Sequence, residues 1–394
     1  MMFQAVLSNR DHPEYGVATI PFPIPHEQYT HCMELLAALE IGDAVKADCK
    51  VVAVDSFFSV LKRTEMLTVN VEELNYLAKR LDSFDTGEAA QFQAMAHKLE
   101  LFELKDLINL TFCCQQATVI TDFSDLAAIG RDHYMNLHGG CASVDELNAL
   151  DGKEIARQLI ENGSGTITPY GVVYDNGMKL EQFYQGREFP RYYYEPNPLT
   201  IALTSKTEPE DTEHITWLFL PMVQEEIDRA LLRGGITDPS EIRLSLEDSW
   251  LPHEVLDLLD MDHVDISELN ALVQALDEFS DTSIRKYAAA AVMARPHTTE
   301  QAKHLAENLD LFDFAPSAST PEEYGKYMIQ KSGRFDYDEN LDAFYDYEKY
   351  GTERMNEEDG MFTDRGYIAY KGYISMEEVM NGGQSNHMVM GGMM

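Results

Sequence analysis

The chain has 394 residues with 30 Lys and Arg against 68 Asp and Glu, a formal net charge of −38 and a pI near 4.5. Such a surface repels phosphate and anionic lipid, because both need clustered cations to displace counterions. Direct nucleic-acid and membrane-surface binding are therefore excluded, and cations or basic proteins are the expected partners. Hydrophobic residues at 44% and aromatics at 10% exceed what a disordered acidic chain carries, so the charge sits on folded surfaces of about two domains.

The first sixteen residues have no basic segment followed by an apolar one, and no uncharged run approaches the roughly 18 residues that a membrane span requires; a soluble cytosolic protein is expected. Strand-like runs at 3–7 and 17–24 precede a helix around 27–39 and a strand at 50–54, a βαβ-like α+β piece. Leu74, Leu77, Ala78 and Leu81 then fall at i, i+3, i+4 and i+7, which predicts an amphipathic helix opened by a capping box from Asn70 to Glu73. Further helices are expected at 88–101 and 104–110. The segment 143–150, SVDELNAL, has a good helix start, and the Gly-punctuated run 165–177 reads as a hairpin on a small sheet. Residues 187–198, REFPRYYYEPNP, are too aromatic for a free tether and are expected to pack.

The same order then returns. Strands at 200–203 and 215–220, a helix at 223–232 and a strand at 241–246 precede Leu269, Leu272, Val273 and Leu276 at helical spacing, with a capping box from Asp265 to Glu268. Helices at 283–294 and 299–308 follow, then one capped by Thr320 with Pro321 in its first position. VNVEELNYLAKRLDSF (69–84) lies 195 residues before VDISELNALVQALDEF (264–279), and 8 of the 16 positions are identical. Gly130 and Gly325 share that offset, as do GTITPYGVVYDNG (165–177) and GMFTDRGYIAYKG (360–372). The chain reads as an α+β tandem repeat. Unit 1 spans 1–178, with modules at about 1–60, 61–135 and 136–178; a connector covers 179–197; unit 2 spans 198–375, with modules at about 198–255, 256–330 and 331–375. The Gly- and Met-rich tail, 376–394, lacks periodicity and is expected to be disordered.

No reactive constellation emerges. Asp336, Asp338 and Asn340 begin like a calcium loop, but Leu341 and Tyr347 stand where Gly and Glu are required. His133 with His138 and His297 with His304 have no recurring third ligand, and the adjacent Cys113 and Cys114 are absent from the second copy. Together with Cys32, Cys49 and Cys141 these thiols are odd in number and form no CxxC, so buried free cysteines in a reducing compartment are expected. Neither catalytic residues, metal site nor cofactor are expected.

What remains is the charge. Residues 1–197 hold 29 acidic and 15 basic side chains, a net of −14, and the remainder 39 and 15, a net of −24. The second copy's carboxylates are grouped: Glu225, Glu226 and Asp228; Glu254, Asp257 and Asp260; Asp277 and Glu278; Glu322 and Glu323; Asp336, Asp338, Glu339, Asp342, Asp346 and Glu348; and Glu357, Glu358 and Asp359. Carboxylates three or four apart on a helix lie ~5–6 Å apart, close to the phosphate spacing along a DNA strand. At one charge per ~1.7 Å of duplex axis, the net charge matches about 65 Å, or roughly nineteen base pairs, of DNA.

These motifs, ELNYLAKRLD with KDLINL (105–110), and in the second copy ELNALVQALDEF, AENLDLFDF (306–314), EEYGKYMI (322–329) and GYIAYKG, resemble the ArdA antirestriction proteins of conjugative elements. The resemblance implies an elongated, curved chain of three small domains per unit whose carboxylates mimic bent B-form DNA. It also implies competitive binding in the basic DNA groove of type I restriction–modification enzymes, protecting incoming DNA. Members of that family are usually single units that dimerise, so two units in one chain suggest a covalent pseudo-dimer, with the less acidic first copy a scaffold or the contact for another partner. The alternatives are an acidic module that binds a basic accessory protein of a mobile element, or a counter-defence inhibitor of another enzyme such as an RNA-guided nuclease.

Overall fold

The computed structural model describes residues 2–206, 214–257 and 263–383. Among them, helices and small antiparallel sheets are mixed, an α+β fold. Asp260 and residues 384–394 lie outside the described residues, and none of the described helices is long and apolar enough to cross a membrane.

The first module is a sheet with one helix. Strands β1 (Phe3–Asn9) and β2 (Val17–Phe22), helix α1 (Tyr29–Ala37), and strands β3 (Cys49–Ser56) and β4 (Thr68–Val69) form a sheet in the order β2-β1-β3-β4. Every hydrogen-bonded pair is antiparallel. Because β2 and β3 both run against β1, they are parallel to each other and joined through α1. The βαβ-like reading is thus realised as a split unit with β1 inserted between its two strands.

Helices α2 (Val71–Asp82), α3 (Thr86–Lys98) and α4 (Leu104–Leu110) follow. Leu74, Leu77, Ala78 and Leu81 are all buried, as their spacing predicts. The cap departs from expectation. The Asn70 side chain accepts from the Glu72 and Glu73 amides, but Glu73 does not return the bond to the cap. Its carboxylate instead accepts from the Tyr184 hydroxyl at 2.7 Å, a long-range partner that a local pattern cannot reveal. The third module comprises β5 (Thr118–Ile120), α5 (Leu126–Leu137), α6 (Val144–Ala149), α7 (Gly152–Asn162), β6 (Thr166–Thr168) and β7 (Gly171–Tyr174), with sheet order β5-β7-β6. Helix α6 opens with a true capping box, Ser143 with Glu146.

The second half continues with β8 (Leu199–Ser205), β9 (Thr216–Leu220), α8 (Gln224–Arg233), β10 (Ile242–Ser249), α9 (His253–Leu256), α10 (Ile266–Asp277), α11 (Asp281–Ala294) and α12 (Thr299–Glu307). Then come β11 (Phe312–Pro316), α13 (Pro321–Gln330), α14 (Tyr347–Glu357), β12 (Asp359–Thr363), β13 (Gly366–Tyr370) and α15 (Met376–Met380). The order β9-β8-β10 repeats β2-β1-β3 without a counterpart of β4, and β11-β13-β12 repeats β5-β7-β6. Here too the glutamate of the expected capping box is diverted: Asp265 caps α10 alone, and Glu268 accepts from the Thr299 hydroxyl at 2.7 Å.

The shared ELN motif has a physical reason. At both occurrences its asparagine holds the backbone directly after a cis proline: the Ile24 amide donates to Asn75 Oδ1 at 2.8 Å, and the Met222 amide to Asn270 Oδ1 at 2.8 Å. The recurring glycines likewise mark backbone contact. A Cβ on Gly130 would lie 1.8 Å from the Gly152 carbonyl oxygen, and one on Gly325 2.0 Å from that of Tyr347, so α5 with α7 and α13 with α14 approach backbone to backbone.

Two further expectations are corrected. The segment after Ser375 is not wholly irregular: α15 has its own capping box, buries Val379 and Met380, and receives the His304 ring at the Met380 carbonyl, 2.9 Å away. Two buried apolar side chains suffice to order it. Four cysteines are buried and free, but Cys141 is exposed, following the positive-φ pair Gly139 and Gly140 in the turn after α5.

The chain divides into two compact units: the first holds residues 1–196 with 210–217 and 223–241, and therefore α8, and the second holds the remainder. The connector packs in that first unit as expected: Phe189 stacks on Tyr76 with ring centroids 4.4 Å apart, and the Tyr76 hydroxyl donates to the Pro190 carbonyl.

Candidate functional site

The eighteen expected surface carboxylates fall into two classes. In the first unit, Glu225 and Glu226 are half-buried on α8 while Asp228 is exposed; Lys79 lies 3.6 Å from Glu226. In the second unit, Asp257, Asp277, Glu278, Glu322, Glu323, Asp336, Asp338, Glu339, Asp346, Glu348, Glu357 and Asp359 are exposed. Glu254, Asp342 and Glu358 are half-buried and carry structural bonds.

Those structural carboxylates are held by partners far along the chain or on an adjacent turn. Arg365 grips Glu254 through Nε at 2.6 Å and Nη2 at 3.1 Å, a two-pronged pair spanning 111 residues. Burial works to raise the Glu254 pKa, but the Arg365 hydrogen bond and charge outweigh it and hold the carboxyl below its ordinary value. A folded-state pKa below the unfolded one means stability that is present above the ordinary carboxylate range and lost as pH falls through the depressed value. Glu254→Gln should therefore flatten the acid limb of the unfolding curve while leaving the neutral-pH midpoint lowered, measurable by chemical denaturation between about pH 3 and 7. An unchanged acid limb would exclude this pair as a contributor.

Glu358 accepts from Arg354 through a short contact and from the Tyr324 hydroxyl at 2.5 Å. Asp342 accepts from Tyr337 at 2.6 Å, Tyr347 at 2.5 Å and Gln330 at 2.8 Å, and these hydroxyls lower its pKa. It is a buttress for the acidic segment and not part of its outer face.

The exposed carboxylates concentrate where α13, a 3-10 turn (Glu339–Phe344) and α14 follow one another. From 321 to 359 the chain carries 12 Asp and Glu against 5 Lys and Arg, a net of −7; the stretch 195 residues earlier, 126–164, carries 6 against 3. The calcium-like spacing acquires a local explanation: Asp338 Oδ1 accepts from the Asn340 amide and side chain, both at 2.9 Å, and caps the turn. Asp346 caps α14 through the Lys349 amide at 3.0 Å, and Glu323 accepts from Ser319 at 2.7 and 2.8 Å. Negative groups at helix starts are stabilised by the free amides and the helix dipole, so anionic density is part of the local fold.

His133 and Cys114 are bonded or buried. Thr118 and the His133 ring lie 2.9 Å apart, and burial lowers the His133 pKa. Burial pushes the Cys114 thiol well up, away from nucleophilic use. Among the described residues no group of three or more His, Cys, Asp or Glu is placed to hold a metal ion.

An acidic surface built on capped helices carries its charge outward, and comparison of the sequence with protein families finds a similarity in the same part of the chain. The family model described as Antirestriction protein (ArdA) matches residues 212–369. No curated protein matches the chain.

Proposed function

We propose that the protein is an acidic DNA mimic that occupies the basic DNA-binding groove of type I restriction–modification enzymes and blocks them competitively. The observation that carries this reading is the concentration of exposed carboxylates in residues 321–359, inside the stretch that matches the ArdA family model. It fits a groove that binds phosphates, and the affinity should weaken as salt screens the charges. The two copies act on this reading as a pseudo-dimer within one chain, located in the cytoplasm where incoming DNA is cleaved; light scattering should return the mass of one chain, and a stable dimer would speak against it.

The test is titration of the purified protein into a type I restriction assay. Inhibition is expected, relieved by added duplex DNA and weakened by salt. Neutralising Asp336, Asp338, Glu339, Asp346 and Glu348 together to their amides should weaken inhibition by at least about tenfold and make its salt dependence shallower, whereas single neutralisations should each have a small effect. Inhibition that ignores both competitor DNA and salt would overturn the reading, and binding to a basic accessory protein that DNA cannot displace would replace it with a plain acidic interaction module.

A further inference from the structure

In the second unit, the 3-10 turn between α13 and α14 has its polarity reversed. Phe344 is 84% exposed and Leu341 47%. Side chains three apart eclipse on a 3-10 helix, so these two share one face. The residue between them, Asp342, points the other way and takes three hydrogen bonds from Tyr337, Tyr347 and Gln330. The polar side chain faces inward and the largest apolar one outward, the opposite of what folding favours.

The first copy shows that the fold does not demand this. At the offset of 195, Glu339–Phe344 aligns with α6, and Leu341, Asp342 and Phe344 correspond to Glu146, Leu147 and Ala149. There the inward position is apolar, and the outward ones are charged or small, with Glu146 and Ala149 exposed. The second copy has exchanged the two chemistries at the same three places. Exposed Asp338, Glu339, Asp346 and Glu348 surround the Leu341–Phe344 pair in sequence.

We infer that Leu341 and Phe344 form an apolar anchor within the acidic segment, inserting into an apolar recess of the basic groove that the flanking carboxylates engage. The inference rests on the DNA-mimic reading, and charge complementarity selects that occupant: a partner that meets Phe344 must also meet four neighbouring carboxylates. The anchor contributes contact that duplex DNA's phosphate row does not offer. It therefore separates recognition of this enzyme from general attraction to basic surfaces.

The anchor and the charges are separable by salt. Carboxylates set the slope of log affinity against log salt, whereas an apolar contact shifts affinity at every salt concentration alike. Phe344→Ser in the full chain, titrated into the type I restriction assay, should raise the half-inhibitory concentration about 10- to 100-fold with the salt slope unchanged. Phe344→Leu should recover much of the loss, and Val144→Ser, also an exposed apolar residue but in α6, should change nothing. Because Phe344 supports no core, its melting temperature should stay that of the parent. Equal inhibition by parent and Phe344→Ser overturns the inference and leaves the mimic reading standing, while failure of the parent chain to inhibit overturns both. Concentration-dependent self-association that Phe344→Ser abolishes would also overturn it, by assigning the pair to a second copy of the chain.

Discussion

Replacing Arg233 with alanine should destabilise the first unit by about 3–5 kcal/mol, the cost of leaving a buried polar cluster without its cation. The side chain is 5% exposed at the end of α8. Its Nε donates to the Arg187 carbonyl at 2.6 Å, and Nη1 donates to the Ala44 carbonyl and to Asn70 Oδ1, both at 2.9 Å. Nη2 makes a short contact with the Tyr184 hydroxyl and lies 3.8 Å from Glu73, and the guanidinium plane sits 4.2 Å over the Phe189 ring. One residue thus ties α8 to the start of α2, to the loop before β3 and to the connector. Its loss removes the donor from the Arg187, Ala44 and Gly186 carbonyls and leaves Glu73 with Tyr184. Lysine would not rescue it, since a single ammonium cannot reach acceptors arranged around a planar fork. The expected readout is a lower denaturation midpoint for both variants, against a loss of at most about 1 kcal/mol for Arg334→Ala, whose partner Asp313 is a surface pair. A shift for Arg233→Ala no larger than that of Arg334→Ala would show that the cluster is dispensable.

This cluster marks the limit of what the chain discloses before folding. Periodicity located α2 and α10 because an amphipathic helix writes its buried face into its own sequence, and α4 and the Thr320–Pro321 helix start were legible for the same local reason. The repeated glycines and ELN asparagines were visible as a pattern, although their cause, backbone contact between helices and the bond to the residue after a cis proline, is tertiary. Arg233 had no signal: an arginine in the last turn of a helix reads as a surface group that complements the dipole. The same blindness affected the carboxylates. Glu254, Asp342 and Glu358 were indistinguishable in sequence from their exposed neighbours, because the groups that engage them, Arg365 above all, are brought near only by the fold. Net charge and its uneven division between copies needed no structure, since neither depends on conformation.

Gly325→Ala should be the most damaging substitution in the acidic module, costing about 3 kcal/mol or more, at the upper end of overpacking. The added methyl would lie 2.0 Å from the Tyr347 carbonyl oxygen and 2.9 Å from the start of the Gly351 peptide. Neither is a side chain that can rotate away. Gly351 in turn would meet the Pro321 carbonyl at 1.8 Å, so the crossing is closed from both sides. To admit a methyl, α13 and α14 must part, and with them the small core of Ala315, Tyr324, Met328, Tyr367 and Ala369 that lies under them. Hydrogen exchange should report faster exchange across both helices. The proposed inhibitory surface should weaken with them, because Glu322, Glu323, Glu348 and Glu357 keep their spacing only while the helices hold. Gly333→Ala is the control: it has φ +69° and nothing within 4 Å of its added Cβ, so it should pay only the backbone penalty of about 1 kcal/mol and leave the helices protected. If the two alanines behave alike, left-handed backbone strain and not interhelical contact limits this module; a far larger effect at Gly325 assigns the recurring glycine to the crossing that holds the carboxylates in place.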